Sequence, residues 1–329
     1  MSIPINLGVI IAASALIWFT GDRFAHASSR IGDYFKLPRS VKGATLDAMS
    51  SSLPELLIAI FSVVAFQKFE VGIGTIVGSA MFNLLIIPGI SVLVAPVAFK
   101  VSRELIHRDG MFYIIAVYAL LAALLYSNNW GWLIPIAFLL VYIWYVRDIV
   151  RHTREHQKAH KPINPEKNVR IGKELSVAGI MLILIAIASY YLTEHAIHFA
   201  EAIGVAPIII AFTIVAAATS FPDTVISIIN ARKGNIDDSA ANVFGSNIFD
   251  ILIGLSIPLI IAMFYTGTVQ IAFRQLEVVM GLLGATILVL YYLAESHILD
   301  KKKAISMLVM YGVFIAYVVF LSINGSIPA

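Results

Sequence analysis

Ser51-Ser52-Leu53-Pro54-Glu55, followed by Gly78-Ser79-Ala80-Met81-Phe82-Asn83, returns later in the chain as Thr219-Ser220-Phe221-Pro222-Asp223, followed by Gly245-Ser246-Asn247-Ile248-Phe249-Asp250. Each copy runs from hydroxyls through proline to an acid, then to Gly-Ser-x-x-Phe closed by Asn or Asp. The acid and the last motif residue are 28 positions apart in the first copy and 27 in the second. Two matching elements at matching separation mark an internal repeat.

The surroundings of the repeat set the fold class. Of the 329 residues, 59% are apolar and 13% charged, about half the roughly 25% charge of a soluble domain. So few charges could not cover a water-facing surface, which excludes a soluble enzyme, a disordered protein and a nucleic-acid binder. The chain has no cysteine, so disulfides, thiolate catalysis and Cys-type metal sites are excluded. A membrane span needs about 20 mostly apolar residues. Ten stretches qualify: 4–21, 40–66, 71–97, 110–127, 130–149, 174–193, 202–230, 237–264, 272–294 and 303–323. The first lacks a basic leader and runs into Asp22 and Arg23, so it is expected to be a membrane helix rather than a cleaved signal. The expected fold is all-α and polytopic, with ten transmembrane helices as two inverted five-helix repeats and broken helices at the centre.

The polar stretch 151–173 divides the chain into a first repeat, 1–150, and a second, 174–329. Five spans is an odd number, so the second copy crosses the membrane in the opposite sense. Inverted repeats of this kind belong to secondary transporters, whose substrate site lies near the bilayer midplane where the halves meet. Of the 23 Lys and Arg, 21 fall on the face of the central linker, and only Lys68 and Arg274 fall on the other. By the positive-inside rule the linker is cytoplasmic and both termini are outside. A compact chain without targeting segments suits a prokaryotic inner membrane. His152, His156 and His160 in the linker have a metal-compatible spacing, but unpatterned surface histidines are common, and a solvated linker is the expectation.

Glu55 and Asp223 lie deep in apolar spans, where an unpaired charge costs several kcal/mol, and no Lys or Arg lies centrally in any span to pair with them. Pro54 and Pro222 remove the helix hydrogen bonds to the carbonyls of Ser50 and Ala218. Freed carbonyls at membrane depth are tolerated where they line a cavity or meet a ligand. Ser51 precedes Glu55 by four residues, as Thr219 precedes Asp223, Ser79 precedes Asn83 and Ser246 precedes Asp250. Residues four apart share a helix face, so each segment presents a hydroxyl beside a carboxyl or amide. With Ser52 and Ser220, the set is oxygen and amide throughout, the chemistry of hard cations such as sodium, calcium or potassium. Gly78 and Gly245 fit close helix packing. Glu55 and Asp223 together carry two negative charges, matched by one calcium or two sodium ions. Ions that exclude one another at a site open alternately to each side constitute antiport. Asp250 sets the balance, since only its ionised form admits one more monovalent cation.

These residues resemble the calcium/cation antiporter superfamily, the sodium/calcium exchangers. Gly74-Thr75-Ile76-Val77-Gly78-Ser79-Ala80-Met81-Phe82-Asn83 is similar to the first repeat of the potassium-dependent branch, including alanine where most relatives have asparagine. Pro222-Asp223 and Gly245 to Asp250 are similar to its second repeat. The resemblance covers roughly 40–95 and 207–260. It implies that Glu55 and Asp223 are shared calcium and sodium ligands, and that Ser51, Ser52, Thr219 and Ser220 add hydroxyl or carbonyl oxygens. Ser79 and Ser246 would complete the outer and inner monovalent sites, with Asn83 and Asp250 flanking the centre. It implies no cofactor: the transported ions would be calcium and sodium, with potassium or protons as candidates. The partners would be these inorganic cations and the lipid bilayer, with no nucleic acid and no obligate protein partner.

Two features depart from the family. Ser50-Ser51-Ser52 stands in place of the usual Gly-Thr-Ser or Gly-Gly-Ser, and the short linker has no counterpart of the large calcium-sensing domains of animal exchangers. Asp47, four residues before Ser51, either adds a proton or cation site or lines a solvated inner vestibule; the vestibule is the expectation. Calcium/proton exchange is the alternative within transport, with the local motif around the first acid against it. A cation channel is the alternative from another class, opposed by four acid or amide positions that would hold calcium too tightly for fast conduction. An intramembrane enzyme would not need the surrounding hydroxyls and Gly-Ser elements.

Overall fold

The computed structural model describes residues 2–37, 42–159, 169–271 and 275–323. Its helices are α1 (Ile3–Tyr34), α2 (Thr45–Ser51), α3 (Leu53–Val64), α4 (Phe69–Val94), α5 (Arg103–Tyr126), α6 (Leu133–Ala159), α7 (Ile171–Ile203), α8 (Pro207–Thr219), α9 (Phe221–Arg232), α10 (Ile236–Thr266), α11 (Gln275–Ser296) and α12 (Lys301–Ile323). Among the described residues, eight of these are long and apolar enough to cross a membrane singly. The pairs α2/α3 and α8/α9 bend by 57° and 42° and bring the number of spans to ten when each pair is one crossing.

The bends fall where the prolines require. Pro54 and Pro222 sit in the first turns of α3 and α9, the one place in a helix where a missing N–H is harmless. Ser52 and Ser220 turn the chain, with φ −92° and ψ 7° in the first and φ −78° and ψ −3° in the second. Each break is preceded by a π-helical turn, Gly43–Asp47 and Ala211–Val215. The two turns occupy equivalent places in the two repeats.

Two short strand pairs show the inversion. β1 (Phe99–Lys100), after α4, pairs antiparallel with β4 (Ile298–Leu299), after α11. β2 (Asn129–Trp130), after α5, pairs with β3 (Val269–Gln270), after α10. Each ribbon joins one loop from each half. Exchanging the halves turns one ribbon into the other, and with ten spans the two lie on opposite faces of the membrane. A pseudo-two-fold axis in the membrane plane does the same.

α4 and its repeat mate α10 form the centre and are buried along most of their length, each surrounded by other helices. α1 and α7 pack antiparallel at the periphery. The Asn6 carboxamide meets His195 at 2.9 Å at one end, and Arg30 pairs with Glu174 at 3.1 Å at the other. Their outward faces present Ile11, Phe19, Ile183 and Ile187, the exposure expected of a lipid-facing surface. The chain is an integral membrane protein of the all-α polytopic class.

Candidate cation site

The two breaks and the two Gly-Ser segments converge in the buried interior. Glu55 and Asp223 stand in the first turns of α3 and α9, while Ser79 and Asn83 come from α4 and Ser246 and Asp250 from α10. All six are buried, Glu55 and Asp223 at 1% exposure and the other four at zero. Ser79 is the hub. Its hydroxyl lies 2.8 Å from that of Ser220, 3.4 Å from Glu55 Oε1 and 3.4 Å from Asp250 Oδ2. The two carboxylate oxygens are therefore within about 7 Å of each other, where like charges at an effective dielectric near 20 repel by at least about 2 kcal/mol. Asn83 Nδ2 reaches Ser79 Oγ at 3.4 Å and Asp223 Oδ2 at 3.5 Å, linking the third acid to the hub.

The hydroxyls flanking this cluster donate to their own helices. Ser51 Oγ donates to the Ala48 carbonyl at 3.1 Å, Thr219 Oγ1 to Val215 at 3.1 Å and Ser246 Oγ to Asn242 at 2.6 Å. With the proton committed to backbone, each oxygen keeps lone pairs for another partner. Ser52 Oγ crosses to the Ser246 carbonyl at 3.4 Å and ties the first break to α10.

Three buried oxygens in the cluster have no donor: Glu55 Oε2, Asn83 Oδ1 and Asp250 Oδ1. An unsatisfied buried acceptor costs about 1–3 kcal/mol, more when charged. Among the described residues no ion pair reaches any of the three acids. Nor do three His, Asp or Glu side chains form a metal cage by themselves. The carboxylates are interleaved with Ser79, Ser220 and Asn83, so the donor set is mixed oxygen, suited to hard cations. Of the linker histidines, His152 lies against Asp148, at 3.3 Å from its carboxylate; the side chains of His156 and His160 fall outside the described residues.

A cavity of about 760 Å³ opens from the face carrying the α1–α2, α4–α5 and α9–α10 connections and reaches Ser51 and Asn242, beside the cluster. Asp47 is on its wall with Arg108 and Asp109, while Ser51, Asn242 and Gly245 form its inner end. The opposite route is packed shut. A Cβ at Gly78 would lie 2.5 Å from the Phe212 carbonyl oxygen and 2.7 Å from Ala216 Cβ, so α4 touches α8 backbone to backbone. At the equivalent Gly245 the nearest atom, Ala48 Cβ, would be at 3.8 Å. The same residue in the two repeats thus has a closed interface on one side and an open one on the other: the chain is open toward its basic face.

Two site residues were not found from the sequence. Asn242 Nδ2 donates to Asp223 Oδ1 at 3.2 Å and to Ser227 Oγ at 3.3 Å. Asn247 bridges α10 to α4. Asn242 had a usable signal, since it stands four residues before Ser246 on the same face; for Asn247 the signal was its mismatch with Ala80 in the other copy.

A family profile described as sodium/calcium exchanger protein matches residues 5–147 and 174–320, both halves of the chain. The uncharacterized membrane protein MJ0091 of Methanocaldococcus jannaschii is 26% identical over 312 residues, covering 95% of this chain and 97% of that one. Mouse sodium/potassium/calcium exchanger 4 is 36% identical over 145 residues, but these are 43% of this chain and 23% of that protein. A solved structure of the sodium-calcium exchanger NCX_Mj, soaked with 10 mM Na+ and zero Ca2+, superposes with a TM-score of 0.67 at 24% identity over 96% of this chain and 99% of that one. The overall fold is shared with that exchanger.

Proposed function

The chain belongs to the sodium/calcium exchanger family, and we propose that it is a secondary active antiporter that exchanges calcium for sodium by alternating access. The observation that carries this reading is the cluster itself: three buried acids from both halves, no basic partner among the described residues, and three orphaned oxygens around Ser79 and Asn83. A positively charged ligand satisfies those oxygens and relieves the repulsion between the acids at once.

Glu55 and Asp223 are the central ligands, shared by one calcium or two sodium ions. Ser79, Ser220, Ser52 and Asn83 supply neutral oxygens at the centre, and Ser51, Thr219 and Ser246 supply them at the rims. Asp250 either accepts a further monovalent ion or carries a proton. Sodium entering this set removes the charge that held calcium, and the reverse holds too, so binding is mutually exclusive and transport is coupled. The first repeat, 1–150, and the second, 174–329, supply equivalent halves of the site, joined by the 151–173 linker. The linker and the open cavity face the cytoplasm of a prokaryotic cell, with both termini outside.

Use of potassium alongside sodium is the finer reading. Asp250 and the partial likeness to exchanger 4 support it, the latter over less than half of the chain. Calcium/proton exchange is the competing reading.

Reconstituted vesicles loaded with calcium and given sodium, potassium or pH gradients one at a time test all three. Calcium release driven by sodium is expected. Release driven only by a pH gradient would overturn the sodium assignment, and flux with no counter-ion would make the protein a channel.

A further inference from the structure

Asn247 is fully buried on α10 and both ends of its carboxamide reach α4. Its Nδ2 donates to the Ala80 carbonyl at 3.1 Å, and its Oδ1 accepts from Asn83 Nδ2 at 3.1 Å. A backbone carbonyl has no proton to give, so the end of Asn247 facing Ala80 must be the NH2. The other end is then oxygen, and an oxygen facing Asn83 requires Asn83 to turn its own NH2 toward it. That NH2 is held further by Ser79 Oγ and Asp223 Oδ2. What remains of the Asn83 carboxamide is Oδ1, buried and without a donor.

We infer that Asn247 is a positioning residue: anchored on the Ala80 carbonyl, it sets the polarity of the Asn83 carboxamide so that oxygen, not NH2, is offered to the transported cation. The inference rests on the reading of Asn83 as a cation ligand. A carboxamide is nearly symmetrical in shape, so packing alone selects neither orientation; hydrogen bonding does. The flipped orientation would withdraw a ligand and aim a partial positive charge at the cation.

The asymmetry of the repeat fits this role. Ala80 and Asn247 occupy equivalent positions, each two residues after the motif glycine. They meet each other across the pseudo-two-fold, one as a backbone carbonyl and one as a carboxamide. Ala80 has no side chain to reach back across the axis, so the contact runs one way, from the Asn247 carboxamide to the Ala80 carbonyl. An alanine on one side leaves the Ala80 carbonyl as the reference that orients the rest.

The test is calcium binding to the purified full-length chain, by calorimetric titration with calcium chloride, with 15N-asparagine NMR of the Asn83 side chain assigned by its loss in Asn83→Ala. Asn247→Leu keeps the shape of the side chain and removes both bonds. It is expected to weaken calcium binding roughly fivefold to tenfold, the size of one net hydrogen bond lost at the ligand, and to shift the Asn83 amide signal. In an Asn83→Asp background both oxygens are equivalent and no polarity remains to be set, so Asn247→Leu should then cost less than about twofold. Should Asn247→Leu not fold, Asn247→Ala carries the same comparison.

An equal loss in the Asn83→Asp background would make Asn247 a packing residue and overturn the inference. So would unchanged binding in Asn247→Leu where Asn83→Ala binds weakly, and there the ligand reading survives. Unchanged binding in Asn83→Ala removes the ligand itself, and with it any role for its orientation.

Discussion

Adding one methyl group at Gly78 should move the protein out of the state described here. The new Cβ would sit 2.5 Å from the Phe212 carbonyl oxygen and 2.8 Å from Phe212 Cα. Carbon–oxygen contacts ordinarily begin near 3.3 Å, so α4 and α8 must separate by most of an ångström. Both obstacles are backbone, which cannot swing aside as a side chain does. Overpacking of this kind costs about 1–3 kcal/mol, a shift of roughly 5- to 150-fold in a two-state equilibrium. The cost falls on the closed interface, so Gly78→Ala should depopulate the conformation open to the basic face. Gly245→Ala meets nothing closer than 3.8 Å and costs little here. In the opposite state the two interfaces trade places, and Gly245→Ala should favour the basic-face opening. The absence of cysteine gives a clean assay. A single cysteine at Ala241, on the cavity wall, is labelled with a maleimide in ion-free detergent solution. Labelling should slow with Gly78→Ala, by a factor bounded above by that roughly 5- to 150-fold shift, and hold or quicken with Gly245→Ala. A folded Gly78→Ala protein labelled at the parent rate would refute the assignment of that contact to one state.

Glu55→Gln and Asp223→Asn should each reduce sodium-driven calcium flux more than about 100-fold while thermal melting stays near the parent value or rises, because each removes a buried charge that only the cation compensates. Near-normal flux in either removes that acid from the site. Asp250→Asn should alter the monovalent-ion dependence of exchange more than calcium affinity; identical sodium and potassium titrations would take Asp250 out of the mechanism. Asp47→Asn should raise the apparent calcium KM from the basic face by about two- to threefold at low ionic strength and by nothing measurable at high salt, as for a charge on a wetted wall. Complete loss of exchange would instead make Asp47 a ligand.

The repeat, the ten spans, the breaks and the four polar segments were legible because each rests on a local rule: apolar length, proline geometry, or spacing of four on a helix. The π-helical turns were not. A π-turn at Gly43–Asp47 or Ala211–Val215 inserts a residue without changing which residues are apolar, so it leaves no trace in the hydropathy pattern. Asn242 and Asn247 were missed for a different reason. Spacing of four puts Asn242 on the face of Ser246, but its target Asp223 lies on α9, and Asn247 meets Asn83 of α4; only the packed structure pairs them.

The direction of opening could not have been read at all. Gly78 and Gly245 are the same residue in the same motif, yet one is pressed against backbone and the other faces a gap. If the two interfaces differed strongly in their residues, one would always be the tighter and the protein would be trapped on one side. The glycine shared by both motifs leaves room for a close helix approach in either half, and a cation shifts a two-state balance by its difference in affinity for the two states. The same near-identity that makes the repeat easy to recognise therefore keeps the conformation unreadable from it. The halves differ at the cluster, at Ala80 against Asn247 and Asn83 against Asp250, and also at the closure, where Gly74 faces Ala211 and Ile208 closely enough that a Cβ there would lie 2.9 Å from each, while its counterpart in the second half is Ala241.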